Sequence, residues 1–257
     1  MFSVSMFSVS MFFVLCTAAS LTAQPPTESP SLPSAAVHAY AIAELGRHAE
    51  ALQALENLHG AGNSAAALVQ EQQSYDFSLS HTQTCSTDKP SMAKLCIAED
   101  LLAVGRLPEA LAAQKQQLQQ IQAAQKANLR KGVDRNSASA AEGLADETDS
   151  TGGKLVALAD AYDLAARIEA AMGRTAPALK SLDAAEKALP PGEKTRPRAA
   201  GYAYHRALIL AESGKYPAAA KACSASITLD AGSAALGPRR NQLCEAITAS
   251  ASKPAAK

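Results

Sequence analysis

Apolar and polar positions along this 257-residue chain never settle into the alternation of a half-buried strand. β-branched residues are sparse, and the apolar stretches between Gly, Pro and Ser breaks read as helices. The breaks place helices near 34–45, 48–59, 63–77, 91–104, 107–130, 154–172, 176–189, 197–213, 217–229 and 235–250. The Gln-rich stretch 107–130 carries only a partial stripe (Leu111, Leu118, Ile121, Leu129) and no sustained heptad, so it reads as one long helix of a hairpin. Two breaks stand out, 78–90 and 131–153, and the second has the length of a loop or hinge between two lobes. The expected organisation is a Pro- and Ser-rich flexible leader at 24–33, an N-terminal lobe at 34–130, the hinge at 131–153, a C-terminal lobe at 154–250 and a disordered tail at 251–257.

Within those helices one octapeptide recurs four times: LGRHAEAL from Leu45, VGRLPEAL from Val104, MGRTAPAL from Met172 and SGKYPAAA from Ser213. Gly46, Gly105, Gly173 and Gly214 each suit the end of a helix, where a left-handed backbone favours glycine. Pro108, Pro177 and Pro217 fall in the first turn of the next helix, where a missing N–H costs nothing. Each octapeptide therefore joins two antiparallel helices by a very short turn. Aligned on the glycine, the position seven residues earlier is always alanine (Ala39, Ala98, Ala166, Ala207). So is the position five residues later (Ala51, Ala110, Ala178, Ala219). Small residues at fixed points on both helices let their backbones approach at a crossing.

These columns resemble the tetratricopeptide repeat family, which has a small residue in its first helix, Gly before the turn and Ala in its second helix. The last unit matches best, through Ala207, Leu210, Gly214, Tyr216, Ala219 and Ile227. The third ends its second helix with Pro190, as the family often does. The position of the family's Trp holds Ala35, Lys94, Tyr162 and Ala203, Glu169 stands at a usually apolar place, and the Gly-to-Gly spacings are 59, 68 and 41 rather than a constant repeat. Longer or inserted helices must separate the hairpins. The resemblance, over roughly 34–232, implies an all-α, right-handed solenoid of antiparallel hairpins with the first helix of each lining a concave face. Carried onto this sequence, that groove is Tyr40, Leu95, Glu99, Asp163, Arg167, Tyr204 and Leu208. Simple hairpin packing is the plainer role for each of them.

Composition agrees with helix: 58 alanines, 4% aromatics and no Trp. Net charge is zero, with 24 basic and 24 acidic residues, but its distribution is uneven. Residues 24–186 carry 13 basic and 20 acidic side chains (13 − 20 = −7), whereas 187–257 carry 11 and 4 (11 − 4 = +7). That asymmetry predicts a basic C-terminal end suited to an anionic partner. Its core is Lys194, Arg196, Arg198 and Arg206, interleaved with Tyr202, Tyr204 and His205, although a basic loop feeding a solvated helix is the commoner arrangement.

The first residues, MFSVSMFSVSMFFVLCTAASLTAQPP, hold an apolar run centred on Met11 to Cys16 and then small residues, with cleavage expected after Ala19 or Ala23. This reads as a signal peptide at 1–23, although no Lys or Arg precedes Arg47. Ser interrupts the run, so it does not read as a transmembrane span. Phe13, Val14 and Leu15 do not resemble a lipobox before Cys16. Four cysteines follow, Cys85, Cys96, Cys223 and Cys244, an even number with three possible pairings in an exported chain. Local pairing, Cys85 with Cys96 and Cys223 with Cys244, is expected; four buried thiols are the alternative.

Catalytic and cofactor motifs are weak. Ser91-Met92-Ala93-Lys94 has the S-x-x-K spacing of penicillin-binding enzymes without S-D-N or K-T-G partners, and Gly152-Gly153-Lys154 lacks the rest of a phosphate loop. His38, His48, His59, His81 and His205 keep no ligand spacing, and no C-x-x-C occurs, so neither a metal nor a cofactor is expected. Carboxylate pairs such as Glu99-Asp100 and Asp160/Asp163 suit solvated helix faces rather than acid–base work. The expectation is a non-enzymatic exported scaffold, periplasmic or extracellular, that binds a protein or peptide and no nucleic acid. A structural homo-oligomer and an accessory domain of an envelope enzyme are the rivals.

Overall fold

A computed structural model describes residues 34–58, 65–82, 97–135, 144–190, 197–230 and 238–252. All lie in one compact unit, Leu32–Lys257. The described residues form ten α-helices and no strand: α1 Ser34–Glu44, α2 His48–Glu56, α3 Ala65–Thr82, α4 Ala98–Ala103, α5 Leu107–Arg135, α6 Leu144–Ala171, α7 Thr175–Ala188, α8 Pro197–Glu212, α9 Tyr216–Leu229 and α10 Pro238–Ala251. The expected signal peptide, leader, Ser91–Lys94 motif and first cysteine pair lie outside the described residues, as does the expected 251–257 tail from 253 onward, whereas Ala251 ends α10.

Four of the junctions are one turn built four times. Gly46, Gly105, Gly173 and Gly214 have φ of 79°, 79°, 72° and 73°. In each, the glycine N–H donates to the carbonyl three residues back (Ala43, Leu102, Ala170, Ala211) at 2.8–3.1 Å. The next N–H (Arg47, Arg106, Arg174, Lys215) donates to the carbonyl five residues back at 2.8–3.2 Å. This pair of bonds is the Schellman closure of a helix. The same basic residue then opens the following helix, its carbonyl accepting the N–H of the column alanine five after the glycine at 2.9–3.1 Å. One residue thus ends one helix and starts the next, which is why the turn is so short. All eight column alanines are buried, none more than 4% exposed.

The turn makes a prediction. A Cβ on Gly105 would meet nothing closer than the Ala49 Cβ at 3.9 Å, so Gly105→Ala isolates the backbone strain of a positive φ. That strain is about 1–2 kcal/mol, read as a lowered urea midpoint. Gly46→Ala should cost more, because its Cβ would stand 2.9 Å from Arg167 Nη1.

The irregular spacing has a structural origin. The extra helix α3 stands between the first hairpin (α1–α2) and the second (α4–α5), while α5 and α6 run to 29 and 28 residues. Three expectations from the sequence need correction. Residues 78–82, expected in a break, continue α3, with Ser80 and Thr82 hydroxyls folded back onto the Phe77 and Leu79 carbonyls. The 131–153 hinge is largely helical: α5 extends to Arg135 and α6 begins at Leu144, with Gly152 and Gly153 inside it. Tyr216 and Ile227, matched to family packing positions, are 39% and 46% exposed.

Each helix packs on its neighbour in sequence, and the order also closes on itself, because α1 packs against α8 and α10. The largest core unites Ala41 of α1 and Leu45 just after it with Ala166 of α6, Leu182 of α7, Leu208 and Ile209 of α8, and Leu243 and Ile247 of α10. The α8 helix is central: Ala199, Ala200, Tyr202, Ala203, Tyr204, Ala207, Leu208, Ile209 and Leu210 are all buried, a set that leaves little of its circumference free. The tip of the first hairpin lies beside the second and third, with Gly46 next to Leu102 and Arg167. Cys223 of α9 and Cys244 of α10 form a disulfide with Cα atoms 5.6 Å apart, which ties the last helix to the fourth hairpin.

Candidate functional site

The residues expected to line a concave face fall into two groups. Glu99, Asp163 and Arg167 come together. Asp163 on α6 is buried, its Oδ1 2.7 Å from His205 Nδ1 on α8 and its Oδ2 3.3 Å from Arg167 Nε. Arg167 Nη2 donates to the exposed Glu99 Oε1 of α4 at 3.0 Å. Burial pushes the Asp163 carboxyl up, but His205 and then Arg167 outweigh it and hold it below the ordinary aspartate range. One turn earlier, Asp160 accepts from Tyr202 Oη at 2.6 Å and Arg198 Nε at 3.0 Å. Burial and that bond to Asp160 together raise the Tyr202 phenol. The ladder joins the first helices of three hairpins electrostatically, and each of its carboxylates is committed to a cation or a phenol.

Tyr204 and Leu208 belong to the second group and correct the expectation. They are 1% and 0% exposed, inside the closed helix arrangement rather than on an open face. Tyr40 is half-buried beneath the Arg239 guanidinium, 5.0 Å from its ring centroid, and Arg240 covers Tyr204 in the same way at 4.9 Å. Leu95 lies outside the described residues.

The basic end is corrected as well. Lys194 and Arg196 lie outside the described residues, Arg198 is paired with Asp160, and Arg206 Nη2 lies 2.7 Å from Asp183 and 3.0 Å from Glu186 on α7. Arg239 reaches Glu71 at 3.6 Å and Glu44 at 3.9 Å, while Arg240 stands 4.0 Å from Glu44. Part of the charge asymmetry along the sequence is therefore used internally, as Arg198, Arg206, Arg239 and Arg240 meet earlier carboxylates across helix interfaces.

A groove that the sequence reading missed lies on the other side of α8, between α7 and α9. Its volume is about 690 Å³. Ala199, Ala203 and Arg206 give the α8 stripe at i, i+4 and i+7. Ala218, Lys221, Ala222, Ala225 and Leu229 give the α9 stripe, while Asp183, Glu186 and Lys187 come from α7 and Leu189 from the residue that follows it. The floor is thus alanine and leucine and the rim is charged. Arg206 crosses the rim to both α7 carboxylates. Burial alone would lower its pKa, but the hydrogen bond to Asp183 and the two negative charges raise it. The i, i+4, i+7 spacing of small residues beside Lys221 was visible in the sequence, although alanine is too common there to single it out.

No group of three or more His, Cys, Asp or Glu among the described residues is placed to hold a metal ion, and no helix in them is long and apolar enough to cross a membrane. No protein-family model matches the chain, and no curated protein or solved structure matches it either.

Proposed function

We propose that this chain is an exported scaffold of tetratricopeptide-like hairpins that binds a protein or peptide partner, with the bacterial envelope as its setting. The observation that carries the reading is the fourfold turn, with the same bonds, the same glycine conformation and two buried alanine columns. Stacked hairpins of this kind bury faces that a single hairpin leaves exposed, and their accessible grooves are the usual binding surface of the architecture. Here the helices are drawn together by α1 against α8 and α10, so binding falls to a groove between second helices rather than to a deep concavity. The bond between Cys223 and Cys244 fits an oxidising compartment.

The test is affinity capture with the chain lacking residues 1–23, combined with light scattering. Recovery of one polypeptide in a fixed ratio with a monomeric scaffold is expected. A stable homo-oligomer that recovers no second polypeptide sinks the reading in favour of a structural subunit.

A further inference from the structure

We infer that the groove between α7 and α9 receives an acidic amphipathic helix of the partner, its apolar side chains on the alanine floor and its carboxylates on Lys187 and Lys221. This rests on the scaffold reading above and adds where the partner sits and what chemistry it brings.

The charge argument begins with what is already spent. Asp183 and Glu186, the acidic members of the rim, are held by Arg206 at 2.7 and 3.0 Å. Lys187 and Lys221, on opposite walls, are both exposed, and neither carries an ion pair among the described residues. Arg206 offsets one of those two negative charges, so the rim counts three cations (Lys187, Arg206, Lys221) against two carboxylates (3 − 2 = +1), and the cations without an ion pair stand one on each wall. An incoming segment with carboxylates flanking its apolar face meets one lysine on each wall, and a basic segment meets two like charges.

The shape argument concerns the floor. Ala199 and Ala203 on α8 and Ala222 on α9 project only a methyl group, so a helix backbone can approach closely, as it does at the hairpin crossings of this protein. Leu189 and Leu229 close the floor where α7 and α9 end. The volume of about 690 Å³ lies within the ~300–1,000 Å³ range of ligand sites. A lipid tail is the poorer occupant, because the groove is open to solvent along its rim and would leave much of an acyl chain wet. A helix presenting apolar residues at i, i+3, i+4 and i+7 keeps its own polar face in water and buries only the side that fits.

The experiment titrates the full chain with three helical peptides sharing one leucine face and differing only in flanking Glu, Gln or Lys, read by fluorescence anisotropy. The Glu peptide should bind about tenfold more tightly than the Lys peptide at low salt, with the gap closing as salt rises. In the Lys187→Glu/Lys221→Glu variant that order should reverse. Ala225→Trp, at an exposed position of the lining, should weaken all three peptides without moving the urea midpoint. Equal affinities, an order that survives the double charge reversal, or displacement of the Glu peptide by a long-chain fatty acid better than by unlabelled peptide would overturn the inference. Failure of the scaffold reading looks different. A partner captured by the parent chain and equally by the Lys187→Glu/Lys221→Glu and Ala225→Trp variants leaves the scaffold standing and removes the groove.

Discussion

Replacing Asp163 by alanine should destabilise the protein by about 3 kcal/mol, the low end of what removing one partner of a buried ion pair costs. The substitution leaves His205 and Arg167, with side chains 16% and 12% exposed, facing each other across the α6–α8 interface without the carboxylate between them. The low end applies because Arg167 keeps Glu99 at 3.0 Å. Asp163→Asn keeps the shape and a hydrogen-bond acceptor but not the charge, so its loss should be smaller. The pH dependence has a definite sign. A carboxyl held below its ordinary value of 3.8 contributes stability fully present above that value and lost as pH falls through its lower folded value. Urea unfolding of wild type and Asp163→Asn at a series of pH values checks this. The difference between them should be constant near neutrality and shrink below about pH 4. A difference that grows on acidification would show that Asp163 is not the ionised partner of His205 and Arg167.

What the sequence revealed and what it hid divide along a physical line. The turns at Gly46, Gly105, Gly173 and Gly214 were legible because a positive φ is a local requirement met by one residue type. The alanine columns were legible because they keep a fixed distance from those turns, and all eight are buried. The pairing of Cys223 with Cys244 was legible because few residues separate them across adjacent helices. The packing of α1 on α8 and α10 was not, since no residue of Ser34–Glu44 announces a partner more than 150 positions away. That one tertiary fact buries Tyr204 and Leu208 and so removes them from the face where a regular open array would place them.

Charge was misread for a related reason. A block excess of +7 after residue 186 describes composition, whereas a surface potential depends on which side chains share a surface. Arg198, Arg206, Arg239 and Arg240 lie against Asp160, Asp183, Glu186, Glu44 and Glu71, so these four later cations are matched by earlier carboxylates across helix interfaces. The same pairing leaves Lys187 and Lys221, inconspicuous in the sequence, as cations of the groove rim without an ion pair among the described residues.

Breaking the Cys223–Cys244 bond should lower stability by about 3 kcal/mol, the loop-closure value for a segment of this length. The bond spans 21 residues and anchors α10, which supplies Leu243, Cys244 and Ile247 to the main core and lays Arg239 and Arg240 over Tyr40 and Tyr204. Without the link α10 keeps these contacts but loses its covalent tie to α9. The loss should therefore appear chiefly as a less stable C-terminal end, with faster hydrogen exchange in α10 than in α6 or α8. Both cysteines are buried, at 1% and 4% exposure, so reductant should act on the folded protein only after opening. Urea unfolding of the parent chain with and without dithiothreitol, beside the Cys223→Ala/Cys244→Ala variant, separates the effects. The reduced parent and the variant should unfold at nearly the same midpoint, both below the oxidised parent. An oxidised parent that unfolds where the variant does would mean that the bond does not support α10. Cys223 and Cys244 alkylated in chain taken from its native compartment and unfolded without reductant would count against export.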